Sequence, residues 1–374
     1  MAASVPAPRD RTLFGDRPRY AAGLQALGHD LYAWLLPNGG WGESNCGLIV
    51  GAGASLLVDT LWDLPQTQQM LDSLAPLLTR TPITQVVNTH ADGDHWWGNQ
   101  LVGGAQIIAS AATTAAMQHH TPAQMRALHA VARGCGQVSR LPLPRRWRAR
   151  VQAVGAYLGG MQRPFDFAGI RPTLPTTTFT GYLQVDVGGR AVELIEVGPA
   201  HTASDVIVYV PDARTVFAGD IVFVDSTPVL WAGSVQRWMA ALEQILALDV
   251  ETVVPGHGPV TDRAGVETVR RYWVYLEAVV RAQQAAGRTV AETVQWLAQR
   301  PEVQGGAFGG WECPERLLLN VAALYRERAR QPGRLSGVEQ LKLLGQMAFL
   351  ARAFPRAAPA RLHGAALGQV GTEA

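Results

Sequence analysis

The sequence predicts an α/β sandwich in which two layers of sheet are covered by outer helices. Apolar segments bounded by Gly and Asn-Gly pairs alternate with segments of helical periodicity. This order of strands and helices occurs twice along the chain, and a helical tail follows. The 374 residues are 48% apolar and 17% charged, which supplies a large core and excludes a disordered chain.

The first half of the chain is predicted to hold an arm, a strand-rich segment and a helical insertion. Residues 1–28 carry Pro, Arg and Gly without periodicity, which predicts an N-terminal arm. The segments DLYAWLLP, NCGLIVGAG and ASLLVDT predict three strands separated by turns. The patterns that follow predict a helix at 64–79, strands at 83–89 and 105–110, and broken helices in an insertion at about 121–170.

The second half predicts more strands and then helices only. Four apolar segments predict strands: TFTGYLQVDV, RAVELIEV, SDVIVYV and TVFAGDIVF. A helix at about 234–247, the strand TVVPG and a long helix at 262–286 follow. We therefore divide the chain into an α/β domain at 29–260 and a helical C-terminal extension at 261–374. The extension is expected to cap the α/β domain or to form a homodimer contact, with burial of its apolar face in the core as the alternative.

The composition argues against nucleic acid and membrane as binding partners. A net charge of +2 gives no general basic field for nucleic acid. No apolar run reaches the roughly 18 to 20 residues that span a bilayer. The N-terminal residues lack the apolar core of a signal peptide, so a cytoplasmic location is expected. The expected partner is a small-molecule substrate, with neither nucleic acid nor membrane.

A cluster of candidate metal ligands follows the strand predicted at 83–89. The segment VVNTHADGDHWWGNQ places His90, Asp92, Asp94 and His95 within six residues. In an extended segment alternate side chains project to one side, so one loop could bring these donors together. Imidazole and carboxylate are donors that Zn²⁺, Fe²⁺ and Mn²⁺ accept. The alternative is a polar turn that caps a helix.

Three further candidates occur singly, each where an apolar strand ends. They are His201 in VGPAHTASD, Asp220 in VFAGDIVF and His257 in VVPGHGPV. Each alone is typical of a loop histidine or a turn aspartate. Their joint occurrence favours a single site, because side chains from the ends of several strands meet at one edge of a sandwich.

Taken in order, THADGDH, GPAHT, FAGD and PGHG resemble the motifs of the metallo-β-lactamase superfamily of binuclear metallohydrolases. The resemblance covers roughly residues 30–260. It implies an αββα sandwich, the metallo-β-lactamase fold, with two divalent metal ions at one edge. It further implies that His90, Asp92 and His201 hold the first ion, that Asp94, His95 and His257 hold the second, and that Asp220 bridges both.

One position departs from the family pattern. The usual motif is His-x-His-x-Asp-His, and Asp92 stands where the second His would be. A carboxylate makes the first site harder and more anionic, which moves its preference from zinc toward iron or manganese. Zinc is the expected metal, with iron and manganese as alternatives. Diiron members of the family also carry a carboxylate here, so a diiron oxidoreductase or oxygenase on the same fold is the alternative function.

The resemblance implies a hydrolase in which a metal-bridging hydroxide attacks a small ester, thioester, lactone or amide. Asp94 would be the catalytic residue that orients the hydroxide and passes its proton to the leaving group. A non-catalytic protein on a decayed site is disfavoured, because the one altered ligand position still holds a ligand. We expect Trp96 or Trp97 to line the pocket and the other to be core. Candidates for support or substrate contact are Asp59, Trp41, Trp96 and Thr202.

Residues 95–165 contain eight arginines and no Asp or Glu. The segment lies where family members insert residues over the active site. A basic lid that favours an anionic substrate is one interpretation. A solvent-exposed charged face is the other. The arginines are Arg126, Arg133, Arg140, Arg145, Arg146, Arg148, Arg150 and Arg163.

Overall fold

Two mixed sheets pack face to face at the centre of the molecule. The computed structural model describes residues 18–37, 41–162, 165–329 and 337–354. The first sheet has seven strands in chain order: β1 (Gly23–Gly28), β2 (Leu31–Leu35), β3 (Cys46–Gly51), β4 (Ala54–Val58), β5 (Ile83–Val87), β6 (Gln106–Ser110) and β7 (Thr177–Phe179). The second has five strands in the spatial order β12-β11-β10-β9-β8: β8 (Tyr182–Val187), β9 (Arg190–Glu196), β10 (Val206–Val210), β11 (Thr215–Phe217) and β12 (Thr252–Val254).

Strand direction follows the length of each connection. Strands β1 to β4 and β8 to β11 pair antiparallel. Strands β4 to β7 pair parallel, as does β12 with β11, and each parallel connection passes through a longer segment. The parallel pairing of β11 and β12 places their carboxyl ends side by side at one edge of the sandwich.

Ten α-helices lie within the described residues. Their starts follow capping chemistry: the Asp63 carboxylate accepts from the Gln66 amide at the start of α1. The helices are α1 (Leu64–Leu78), α2 (Ala111–Met117), α3 (Pro122–Val138), α4 (Arg145–Gln162), α5 (Val235–Ala247), α6 (Arg263–Ala285), α7 (Val290–Leu297), α8 (Pro301–Gln304), α9 (Leu317–Arg328) and α10 (Gly337–Ala353).

Three apolar cores separate four layers, helix on sheet on sheet on helix. Between the sheets, Leu56 of β4 and Val208 of β10 belong to one fully buried cluster. The outer face of the first sheet packs on α1, where Met70 is fully buried. The outer face of the second sheet packs on α5 and α6 through Trp238 and Trp273. The predicted αββα sandwich is therefore confirmed.

The structure corrects the end of the predicted N-terminal arm, residues 1–28. Residues 1–17 lie outside the described part of the chain. Gly23–Gly28 form β1, which pairs with β2 and places Leu24 opposite Trp34. This edge strand buries only one face partially, so its apolar periodicity is too weak to stand out in the sequence.

Within the described residues, the insertion and the C-terminal extension are helical, as predicted. Helices α3 and α4 occupy most of 121–170. In the extension, α9 buries Leu317, Leu318, Val321 and Leu324 in the core that covers the second sheet. The alternative of a core role thus holds for this face, while a homodimer and the domain division remain predictions. Among the described helices, none has the length and apolarity needed to cross a bilayer.

Asn320 of α9 is expected to tie the extension to the second half of the sandwich. It is fully buried, its Oδ1 accepts from the Leu230 amide at 3.0 Å, and its Nδ2 donates to the Pro228 carbonyl at 2.9 Å. Asn320→Ala leaves both backbone groups unpaired, which costs about 1–3 kcal/mol of unfolding free energy. Urea denaturation measures this loss, with Gln236→Ala, an exposed amide on α5, as the control. Equal stability of the two variants would contradict the prediction.

Candidate metal centre

The loop after β5 carries the first four candidate ligands. It folds into two consecutive 3-10 turns, Gly93–His95 and Trp97–Leu101. Gly93 permits this path, because a Cβ there would lie 2.4 Å from the ring of Trp97. The turn directs His90 and His95 inward, with ring centroids 4.2 Å apart.

The other three candidates come from the second sheet. His201 lies in the loop between β9 and β10, Asp220 in a 3-10 turn after β11, and His257 three residues after the end of β12. A Cβ at Gly256 would fall 1.9 Å from Asp220 Oδ1, so this neighbour must be glycine for the strand ends to meet. All seven predicted ligands thus come together at one edge of the sandwich.

Asp220 occupies the middle of the cluster. Its Oδ1 lies 3.2 Å from His95 Nε2, and its Oδ2 lies 3.3 Å from both His201 Nε2 and His257 Nε2. His90 Nε2 is 3.9 Å from the same Oδ2. A carboxylate with both oxygens facing imidazole nitrogens on two sides has the geometry of a bridging ligand.

The remaining donors separate into two groups around Asp220. The donor atoms within each group lie within 4.8 Å of one another. The groups are His90, Asp92 and His201 on one side and Asp94, His95 and His257 on the other. This is the division that the sequence resemblance implies.

The residues present fit a pair of divalent metal ions. His90 Nε2, His95 Nε2 and Asp220 Oδ1 are buried and have no hydrogen-bond partner among the described residues. Buried polar atoms normally have a hydrogen-bond partner, so three unpaired atoms at one point indicate a binding site for another group. Nitrogen and oxygen donors in this combination suit zinc, iron or manganese.

The carboxylates and imidazoles offset one another electrostatically. Burial would raise the pKa of Asp220, but His257, His95 and His201 outweigh it and hold this pKa well below its usual range. Burial would lower the pKa of His201, but Asp220 and Asp92 outweigh it and raise this pKa to about 9. The buried site therefore keeps the Asp220 carboxylate ionised, which is the form that binds a metal ion.

Each candidate histidine is held at its outer nitrogen. His95 Nδ1 lies 2.8 Å from Asp59 Oδ2, and His90 Nδ1 lies 3.0 Å from Thr89 Oγ1. His201 Nδ1 contacts the carbonyl of Val229 at 2.6 Å, and His257 Nδ1 that of Glu43 at 3.0 Å. Such contacts fix the ring so that Nε2 faces a metal. Sequence reasoning found Asp59 but missed Val229 and Glu43, whose contribution is a backbone carbonyl without a side-chain signature.

The segment GESNCG, which leads into the first sheet, supports the site through hydrogen bonds. Asn45 donates from Nδ2 to the carbonyls of Pro255 and Gly258 at 2.9 and 2.8 Å. Ser44 Oγ donates to the carbonyl of Asp94 at 2.6 Å. These bonds join the loops that carry Asp94 and His257, so the two sheets hold the second ligand group together.

The adjacent tryptophans correct our prediction that one of them lines the pocket. Trp96 is fully buried and donates from Nε1 to the carbonyl of Ala91 at 2.9 Å. Trp97 is 3% exposed and packs against Trp62 and Phe167. Both belong to the core beneath the loop of the first ligands, because residues after the turn run inward toward the insertion.

Two other candidates have structural partners. Thr202 Oγ1 donates to Asp205 Oδ1 at 2.7 Å and thereby shapes the loop of His201. Trp41 is half-buried, packs on Trp231 at 5.8 Å and lies under the Arg316 guanidinium at 4.6 Å. Trp41 is thus part of a packed aromatic group, and its contact with substrate remains a prediction.

The insertion arginines are exposed where the structure describes them. Arg163 lies outside the described residues, and the other seven are exposed on or beside α3 and α4. Arg126 donates to the carbonyl of Phe167 at 3.1 Å. Sequence reasoning also missed His120, whose Nδ1 lies 3.8 Å from Asp92 Oδ1. No local pattern around His120 distinguishes it from other loop histidines.

The αββα sandwich and the His/Asp donor set define a class of proteins that hold metal at the edge of the sheets. The family model for the metallo-beta-lactamase superfamily matches residues 39–257, which is more than half of the chain. The chain therefore belongs to this superfamily.

The proteins that this chain is similar to are of several kinds. Linear primary-alkylsulfatase from Pseudomonas sp. is 28% identical over 33% of this chain and 23% of its own length. The alpha subunit of 2,4-dinitroanisole O-demethylase from Nocardioides sp. is 26% identical over 56% of this chain and 51% of its own. The solved sec-alkylsulfatase from Pseudomonas sp. shares the fold, with a TM-score of 0.57 and 18% identity over 82% of this chain and 50% of that chain. The chain spans about half or less of these relatives.

Proposed function

We propose that the protein is a metal-dependent hydrolase that cleaves a small ester, thioester, lactone or amide. The observation that carries the proposal is the position of Asp220, whose two oxygens face the Nε2 atoms of His95, His201 and His257. Around it, the two ligand groups each supply one carboxylate and two histidines. The proposed cofactor is a pair of divalent ions, zinc first, with iron or manganese as alternatives.

The bound metals would supply an activated water and polarise the electrophile that it attacks. The chain's own contribution beyond binding falls to Asp94. Its Oδ2 lies 3.6 Å from His95 Nε2 and 3.5 Å from His257 Nε2, and its side chain is 13% exposed against 5% for Asp220. Asp94 is therefore the more accessible of these two carboxylates.

We propose that proton transfer takes place at Asp94 Oδ2. Burial raises the pKa of Asp94, and Asp220 and Asp92 raise it further against the opposing effect of His95 and His257. A carboxylate with a raised pKa accepts a proton more readily and can return it to a leaving group. We assign Asp94 the role of catalytic proton carrier.

The relatives widen the range of substrates to be tested. Their names specify an alkylsulfatase and a dinitroanisole O-demethylase. A sulfate ester and an aryl methyl ether therefore belong beside the carboxylic esters, thioesters, lactones and amides. We further propose a small anionic substrate, a cytoplasmic location and a homodimer, with neither nucleic acid nor membrane as a partner.

The second candidate function is a diiron oxidoreductase or oxygenase, and Asp92 favours it. Its Oδ2 lies 3.2 Å from His201 Nε2, so the ligand position that departs from the usual histidine does face the first site. A carboxylate at this point suits iron better than zinc.

The experiment that separates the two functions combines metal analysis with an activity panel. Protein purified without oxygen is analysed by mass spectrometry for its metals and assayed on the six substrate classes. Metal-dependent turnover that is lost on chelation and restored by the same metal supports the hydrolase. Absence of hydrolysis by the fully loaded protein, together with reductant-dependent oxygen uptake, favours the diiron enzyme.

Asp94→Asn should lose turnover and retain at least one ion.

A further inference from the structure

A second cavity lies in the helical insertion, away from the candidate metal ligands. It has a volume of about 490 Å³ and lies between α3, α4 and the end of α10. This volume falls in the range of pockets that hold small molecules. None of its described lining residues belongs to the metal centre, so the cavity requires a separate explanation.

Small residues on facing helices form the floor of this cavity. Ala132 and Gly136 contribute from α3, and Gly155, Ala156 and Gly159 contribute from α4. A Cβ at Gly155 would lie 2.7 Å from the Cβ of Cys135, so glycine there allows the helices to approach. A Cβ at Gly136 would meet no atom within 4 Å, so its missing side chain leaves open space. Glycine inside a helix is less stable than alanine there, so helix stability does not account for Gly136.

The rim of the cavity is basic and polar. Arg133 and Arg352 supply guanidinium groups, His129 an imidazole, and Ser139 and Gln152 further hydrogen-bonding groups. The described lining includes no Asp or Glu, and the sequence has none from residue 95 to 165. Neither rim arginine forms an ion pair with a carboxylate in the described part of the chain. Guanidinium binds carboxylate, sulfonate and phosphate through paired, charge-assisted hydrogen bonds.

We propose that this cavity binds a small amphiphilic organic anion. Its acid group pairs with Arg133 and Arg352, and its apolar body lies on the floor between Gly136 and Gly159. The charge of the rim selects the acid group, and the glycines make room for the body. The proposal uses none of the metal ligands, so binding is independent of the proposed hydrolase function.

A pair of fluorescent probes separates the two parts of the site. 8-Anilinonaphthalene-1-sulfonate carries a sulfonate, and N-phenyl-1-naphthylamine has the same rings without the charge. Both are titrated into the metal-loaded, full-length protein and followed by fluorescence. We expect saturable binding of the sulfonate, and the double variant Arg133→Gln/Arg352→Gln should raise its Kd by about tenfold or more. The neutral probe should change less than about twofold, because its ring contacts remain.

Matched variants test the location of the site. Gly136→Leu fills the cavity and should weaken both probes by about tenfold, since rings and sulfonate lose their space. Gly134→Leu is the control, because a Cβ there also meets no atom within 4 Å but the residue does not line the cavity. Arg140→Gln is the control for charge, since Arg140 is an exposed arginine beside α3 that does not line the cavity.

The outcomes decide the proposal. Selective loss with the lining variants, with unchanged melting temperature and far-ultraviolet circular dichroism, supports it. Unchanged binding in Gly136→Leu would overturn it, as would equal weakening by Arg140→Gln or Gly134→Leu. Absence of saturable sulfonate binding up to about 1 mM, a Kd equivalent to about −4 kcal/mol, would also overturn it.

Discussion

Asp220→Ala is expected to remove both metal ions and to lower hydrolytic activity by about 1000-fold or more, which corresponds to a loss of several kcal/mol. Asp220 is the only one of the seven candidate ligands whose oxygens approach histidines of both groups within the described structure. Its loss removes the negative charge that holds the imidazoles of His95 and His201 in a buried site. Neutral imidazoles can stay buried without this carboxylate, so the fold is expected to survive while the metal affinity falls.

Metal content gives a measurement that does not depend on knowing the substrate. The variant and the native protein are loaded with metal, dialysed against metal-free buffer and analysed by mass spectrometry. Asp212→Ala is the matched control, because Asp212 is an exposed carboxylate that pairs with Arg190 in the turn between β10 and β11, at the opposite ends of these strands from His201 and Asp220. Two ions retained by Asp220→Ala, with activity unchanged, would contradict its bridging position and the binuclear mechanism with it.

The ligand set could be predicted from sequence because each ligand follows a strand whose apolar signal is strong. The last residues of β5 and β12 are fully buried, so their strands stand out and the polar residue after each is conspicuous. His90 and His257 illustrate this relation. Their shared position at strand ends favours convergence at one edge, whereas the division into two ligand groups rested on the resemblance to a known family.

Other features left little trace in the sequence. Strand β1 lies at a sheet edge and alternates between half-buried and exposed residues, so no apolar run marks it. The contacts of Val229 and Glu43 with ligand histidines use backbone carbonyls, which any residue possesses. The burial of Trp96 depends on how the insertion folds over the loop, which is tertiary information. Sequence thus predicts donors better than it predicts what supports them.

Asp59→Asn is expected to lower metal affinity by about 10- to 100-fold, the usual effect of losing a hydrogen-bonded partner of a ligand. Asp59 accepts from His95 Nδ1 at 2.8 Å and from Thr89 Oγ1 at 2.7 Å, both on Oδ2, and from the Thr89 amide on Oδ1 at 2.8 Å. The Thr89 hydroxyl, having donated its proton to Asp59, accepts from His90 Nδ1. One carboxylate therefore orients one histidine of each ligand group.

Asparagine is the informative substitution because of the backbone at Asp59. Its φ of 62° lies in the left-handed region, which Asn tolerates and Ala does not. Asp59→Asn thus replaces one acceptor by a donor without adding backbone strain, whereas Asp59→Ala changes both. Asp225→Asn is the control, since Asp225 has a φ of 54° and lies outside the ligand set. Titration against a chromophoric chelator measures the affinity of each ion.

Thr89→Val tests the two contacts of Asp59 separately: the direct one with His95 and the one with His90 through the Thr89 hydroxyl. Valine keeps the shape of Thr89 and the hydrogen bond that its backbone N–H donates to Asp59. It removes the hydroxyl that links Asp59 to His90. The ion held by His90 should then bind more weakly, while the ion held by His95 keeps its affinity because the bond from His95 to Asp59 is untouched. If Asp59→Asn and the control Asp225→Asn bind both metal ions with the same affinity, Asp59 stabilises only the turn after β4 and does not orient the ligands. If Thr89→Val weakens both ions equally, the two ligand groups are coupled through the shared Asp220 rather than oriented separately.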